Sequence, residues 1–177
     1  STTHSLDTSS NKIQKIFSMC AENCHKSDMT NKHCAIITSA GKVVSIGYNH
    51  TRTRAKNLSC SQPICAIHAE IHALLKLINL LNRRSYYCHL KGGKKGRVFY
   101  DPKKKKRYNI FVARISNDEY RNSRPCSHCI STLKNIKNIS KVYYTLNDGN
   151  YGCEKIKHMT SNHVSNGFRA IFNQRLR

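Results

Sequence analysis

Two short stretches, far apart in the chain, constrain what it can fold into. The first is His68-Ala69-Glu70, at the head of an apolar run with helical spacing. The second is Pro125-Cys126-Ser127-His128-Cys129. One imidazole and two thiols form the donor set that zinc prefers. A fold that brings His68, Cys126 and Cys129 together gives a tetrahedral zinc ion three ligands and leaves one position open. An open position is where a water is activated. Glu70, two residues after the histidine, then reaches that water without being a ligand. Two other readings stay open. A fourth ligand, from His128 or another cysteine, closes the site and makes it structural. A Cys-x-x-Cys alone also serves as a redox dithiol.

His-Ala-Glu opening a helix, followed by Pro-Cys-x-x-Cys, resembles the cytidine deaminase-like superfamily. That superfamily includes free-nucleotide deaminases, tRNA adenosine deaminases and the AID/APOBEC family. The resemblance spans most of the chain, from about the first helix to the helix after the last strand. It implies a three-layer α/β fold, with a central mixed sheet of about five strands covered by helices on both faces. It implies zinc on His68, Cys126 and Cys129, and Glu70 as the proton shuttle, first base and then acid. It places Asn49, in Gly47-Tyr48-Asn49, on the sugar of the substrate; a strand-end turn residue is the other reading of that asparagine. The Ala69 amide becomes a donor to the carbonyl of the base. Ser123 and Pro125, in the loop before the thiols, help hold the base and its leaving amine, and Tyr144 supplies an aromatic at the pocket.

At 177 residues the chain fits one domain with a real core. Residues 1–10 are polar, rich in Ser and Thr, and expected to be a disordered lead; 11–177 are expected to be the deaminase domain. No long apolar run predicts a membrane span, and the first residues lack an apolar signal region. Nine cysteines are an odd count, and the site needs two as thiolates, so the expected compartment is intracellular and reducing, cytoplasm or nucleus. Nothing in the sequence sets the oligomeric state.

Charge is the second constraint. Thirty-one Lys and Arg face nine Asp and Glu, a net charge of +22. Self-repulsion on that scale disfavours the compact state, and nucleic acid is the leading partner for it. AT-rich coding explains the abundance of Lys and Asn, but not the scarcity of acids. Residues 83–107 form a basic insertion in which Lys94, Lys95, Lys103, Lys104, Lys105, Lys106 and Arg107 stand among Tyr86, Tyr87, Phe99 and Tyr100. Cations that track a backbone, interleaved with aromatics that stack bases, suit a single strand of DNA or RNA. A solvated insertion and a nuclear-localisation run are the alternatives. Arg52 and Arg54, in the polar loop before the histidine, are further candidates. A hairpin of 97–100 with 107–114, tipped by 101–106, is expected here.

Elsewhere the pattern predicts a helix after Ser10, a hairpin of Cys34–Thr38 with Val43–Tyr48, and a helix over Cys65–Asn82. A central strand over Tyr108–Ile115, a helix over Cys126–Ile136 and a parallel strand over Lys141–Leu146 follow. Residues 151–162 read as short helix or loop, and Asn166–Leu176 as a last helix. Cys24, His25, His33 and Cys34 are read as core and surface rather than a second metal site. The function expected is conversion of cytosine to uracil in single-stranded DNA or RNA. A small-molecule nucleotide, deaminated by a dCMP-type enzyme, and a tRNA adenosine deaminase are the alternatives.

Overall fold

A computed structural model describes residues 2–5, 10–51, 66–81, 87–88, 98–99, 106–136 and 138–165. In chain order its elements are β1 (Thr2–Ser5), α1 (Asn11–Cys24), β2 (Lys32–Ser39), β3 (Lys42–Tyr48), α2 (Ala69–Leu81), β4 (Tyr87–Cys88) and β5 (Val98–Phe99). There follow β6 (Tyr108–Ser116), β7 (Glu119–Arg121), α3 (Ser127–Lys134), β8 (Ile139–Thr145) and β9 (Asn150–Lys155). The expected last helix, 166–176, lies outside the described residues. Among the described residues no helix is long and apolar enough to cross a membrane.

The run Ile110-Phe111-Val112-Ala113 is apolar without alternation, as a strand covered on both faces must be. It lies in β6, which runs between β2, antiparallel, and β8, parallel. Successive side chains point to opposite faces and sort into two cores. Ile110 and Val112 join Ala35 and Ile37 beneath α2 and α3. Phe111 and Ala113 join Cys34 and Ile36 beneath α1. Cys20, Cys24 and Cys34 are buried free thiols of that second core. This is the expected three-layer α/β architecture.

The sheet has seven strands, in the order β1-β9-β8-β6-β2-β3 with β7 also on β6, where about five were expected. The additional strands come from three places. Asn117 and Asp118 adopt positive φ and fold β7 back on the end of β6, as Asn and Asp do most readily. The turn at Asn147–Gly149 folds β9 back on β8, so 150–155 is a strand and not helix or loop. β9 offers an open edge, and residues 2–5, expected as a disordered lead, pair with it from Thr2↔Cys153 to Ser5↔Asn150. In the basic insertion β5 pairs with β4. The expected pairing with 107–114 does not form, because β2 and β8 already occupy both edges of β6.

Gly47 sets how closely β3 approaches α2. A Cβ there would stand 2.2 Å from the Ala73 nitrogen and 2.6 Å from the Ala69 oxygen, both backbone atoms. Ser45 Oγ donates to the Ala73 oxygen at 2.6 Å on the same side. Gly47→Ala is expected to push α2 off the sheet and cost about 1–3 kcal/mol. Thermal melts would show the loss. Because α2 starts beside His68, zinc content measured on the same sample should fall with it.

Candidate metal centre and catalytic site

The backbone on either side of the loop places His68. His50 and Ile67 form an isolated antiparallel bridge, with N···O distances of 3.2 and 2.9 Å. The bridge closes the loop between β3 and α2 at its base and fixes the chain one residue before His68. The two thiols are placed by α3. Cys126 is its N-cap, in extended backbone, as a residue flanking a proline can be. Cys129 falls within the first turn, and the Ser127 amide donates to the His163 oxygen at 2.9 Å.

His68 Nδ1 lies 3.2 Å from Cys129 Sγ and 3.6 Å from Cys126 Sγ, and all three donor atoms are within 4.8 Å of one another. Ordinary Zn–N and Zn–S bonds in a tetrahedron set the donors about 3.6–3.8 Å apart. The residues therefore fit a zinc ion. Among the described residues no fourth ligand joins the cluster, and His128 is exposed and outside it. Among the described side chains, the cluster is three-donor and not closed.

The surroundings are dry. Ile67 and Ile71 pack with Cys126 and Cys129. Glu70, in the first turn of α2, is 4% exposed, and burial pushes its carboxyl up from the ordinary value. Cys126 is pulled down to about 3, chiefly by hydrogen bonding with Cys129, whose own thiol is held well above its ordinary value. His68 is raised by its hydrogen bond to Cys126. Without metal the three donors thus share protons, and loading zinc displaces them.

Comparison with known proteins gives the centre a family. The cytidine and deoxycytidylate deaminase zinc-binding region matches residues 10–146. The chain belongs to that deaminase family. It is a zinc-dependent hydrolytic deaminase, with His68, Cys126 and Cys129 as the cluster able to hold the ion. Cytidine deaminase from Burkholderia pseudomallei is similar in fold, at TM-score 0.50 and 15% identity, over 81% of this chain and 91% of that one. The dCMP deaminase of cyanophage S-TIM5, in complex with dCMP and dUMP, gives TM-score 0.45 and 17% identity over 77% and 82%. No curated protein matches the deaminase in sequence.

The other expected site residues fall into three groups. Ala69 begins α2, so its amide has no acceptor within the helix. Pro125 is buried against the thiol pair's helix. Ser123 and Asn49 are more committed than the sequence suggests. Ser123 Oγ donates to the Val112 oxygen at 2.7 Å and accepts from the Thr145 amide at 2.8 Å. Asn49 Oδ1 accepts from Ser27 Oγ and the His33 amide, and Nδ2 donates to the Asn31 oxygen at 2.7 Å. Only the Nδ2 hydrogen resting on the Met29 sulfur, at 3.3 Å, stays weakly used. The Tyr144 hydroxyl donates to Glu154, which also takes Arg124 at 3.0 and 3.2 Å. Of the basic candidates, Lys106 and Arg107 are exposed. Arg52, Arg54, Lys94, Lys95, Lys103, Lys104 and Lys105 lie outside the described residues.

One residue escaped the sequence reading. Arg114 pairs in register with His33, donates to Asn31 Oδ1 at 2.8 Å, and has a buried Nε with no partner among the described residues. It shares the face of Val112, beneath α2 and α3. A lone cation inside an apolar strand was the available signal. His33 is pulled down to about 4, chiefly by burial and then by the charges of Arg114 and His68.

Two outcomes are expected. Cys126→Ser and His68→Ala should each drop zinc from one equivalent to a small fraction, measured by metal analysis after dialysis. His33 is neutral when folded and takes a proton near 6.5 when unfolded. Between those values the unfolded chain binds more protons. Stability is then full above about pH 6.5 and falls as pH drops through about 4, by up to about 3 kcal/mol. Urea melts at pH 7 and 4.5 check this, and His33→Gln should flatten the difference.

Proposed function

We propose that this deaminase converts cytosine to uracil in single-stranded nucleic acid. The observation that carries the chemistry is a three-donor cluster with Glu70 buried beside it. His68, Cys126 and Cys129 would hold zinc, which when bound supplies a water acidic enough to ionise near neutral pH. Glu70 takes that water's proton and passes it to the ring nitrogen. The adjacent ring carbon then accepts the oxygen. Glu70 next takes the remaining hydroxyl proton and delivers it to the exocyclic amine, which leaves as ammonia while a carbonyl forms in its place. One carboxyl serves as base and then acid when its pKa lies towards the working pH, and burial moves Glu70 that way.

The rest of the chain binds and orients. The Ala69 amide donates to the carbonyl of the base, and Tyr144 and Pro125 wall the ring. Ser123 acts by position, holding the loop that leads to Cys126 against Val112 and Thr145. Asn49 trades its weak Met29 contact for the sugar. Support for a polymer comes from charge. Nine acids cannot neutralise 31 cations, so at least 22 remain for solvent or a polyanion. Arg52 and Arg54 belong to the loop whose base is tied at His50 and Ile67, beside His68. Arg114, whose Nε has no partner among the described residues, is a further candidate for a phosphate.

The family description favours a second reading, a free deoxycytidylate, for which one arginine is enough. Incubation with dCMP and with a 20-nucleotide strand holding one cytosine separates the two. We expect the strand to give at least a tenfold higher kcat/KM, and ammonia from dCMP alone overturns the polymer reading. Glu70→Gln should lower turnover by roughly 10²–10⁴ with zinc retained. Full activity in that variant would remove Glu70 as the shuttle.

A further inference from the structure

At the end of α3 away from the cysteines, the surface opens into a groove of about 620 Å³. Lys106, Arg107, Lys134, Lys155 and Lys157 line it, and every one of them is exposed. Among the described residues no Asp or Glu lines it, and none of the five takes part in an ion pair. Three separate pieces of chain supply these cations: the lead into β6, the last turn of α3, and the end of β9 with the 3-10 turn that follows it at Ile156–His158. The fold, and not one basic run, gathers them.

Clustering like charges costs free energy, and a groove concentrates their field more than a convex surface does. The floor includes Ile136, Ile139 and Ile156, and Asn138 and Ser140 add hydrogen-bonding groups. Cations on the rim, an apolar floor and amide and hydroxyl groups between them match a sugar-phosphate strand. A flat lipid surface matches a concave site poorly. In the sequence Lys103-Lys104-Lys105 runs directly into Lys106 at the groove.

We infer that this groove is a second nucleic-acid site, one that holds the phosphate backbone of a single strand away from the reacting base. α3 connects it to the metal centre, with Cys126 and Cys129 at its start and Lys134 at its end. Along the helix Lys134 lies about 12 Å beyond Cys126 and about 7.5 Å beyond Cys129. The site reads phosphates and not bases, so it anchors a strand without selecting its sequence. It does not require the catalytic pocket to accept a polymer. A protein that deaminated only free nucleotides would still bind nucleic acid here.

The test uses a 20-nucleotide oligothymidylate, which carries no cytosine and so reports on binding alone. Affinity is measured by fluorescence anisotropy from 50 to 200 mM salt. Five phosphate contacts on a single strand predict a slope of log K against log salt near −3.5 from this groove. Lys134→Ser, Lys155→Ser and Lys157→Ser together should make the slope shallower by about 2 and weaken binding roughly 10- to 100-fold at 0.1 M salt. A control triple, Lys15→Ser, Lys26→Ser and Lys42→Ser, removes the same charge from exposed positions outside the groove. Little change in the control supports the site. Equal losses in both triples mean diffuse attraction and overturn it, as does a groove triple that binds like the unaltered protein. Deamination of dCMP by both triples should stay at the starting rate. Its loss in the groove triple would show that the substitutions reach the active site and would reject a separate anchor.

Discussion

Three donor atoms at the starts of two helices must stand within bonding distance of one small ion, and neither helix holds them there alone. The separation of His68 Nδ1 from the two sulfurs, 3.2 and 3.6 Å, is a property of the sheet. β2, β6 and β8 set the spacing of the helices above them. Gly47 lets α2 lie close enough, and Pro125 and Cys126 start α3 at the right place. A shift of an ångström at any of these would separate donors that must share one coordination shell.

The loop before the cysteines shows how much polar wiring this takes. Ser123 and Thr145 are both buried, and their hydroxyls lie 2.9 Å apart. Thr145 Oγ1 also donates to the Arg121 oxygen at 2.7 Å. Together they tie the exit of β7 to the end of β8. A buried hydroxyl costs stability unless it is bonded, so each has reason to keep its partner. Arg124 and Glu154 brace the same loop from outside, and Glu154 is held below its ordinary range despite partial burial. Among the described residues no arginine pairs with Glu70, and burial pushes it the other way.

The metal ligands were legible because zinc accepts few side chains and the spacing around them is short and local. The two-sided burial of β6 was legible from an apolar run without alternation. What depended on pairing between distant segments was not. Residues 2–5 carry no apolar pattern, and only the free edge of β9 makes them a strand. Asn49 and Ser123 are bonded within the protein, and their chemical types do not reveal whether a polar atom faces a ligand or the protein. Arg114 stood in plain view inside an apolar strand, yet its neighbour His33 is known only from the β2–β6 register. The basic groove is a similar case. Its lysines are scattered in sequence and meet only because β8 and β9 run side by side above α3.

The bridge between His50 and Ile67 has a consequence for how such a protein can change over generations. Two backbone hydrogen bonds do not depend on which side chains flank them. The intervening segment can therefore lengthen, shorten or exchange residues while the histidine keeps its bearing. Lengthening a loop whose ends are already joined costs little entropy. Variation in that segment is thereby decoupled from the placement of the metal ligand, and new loop sequences can be sampled with the catalytic machinery intact.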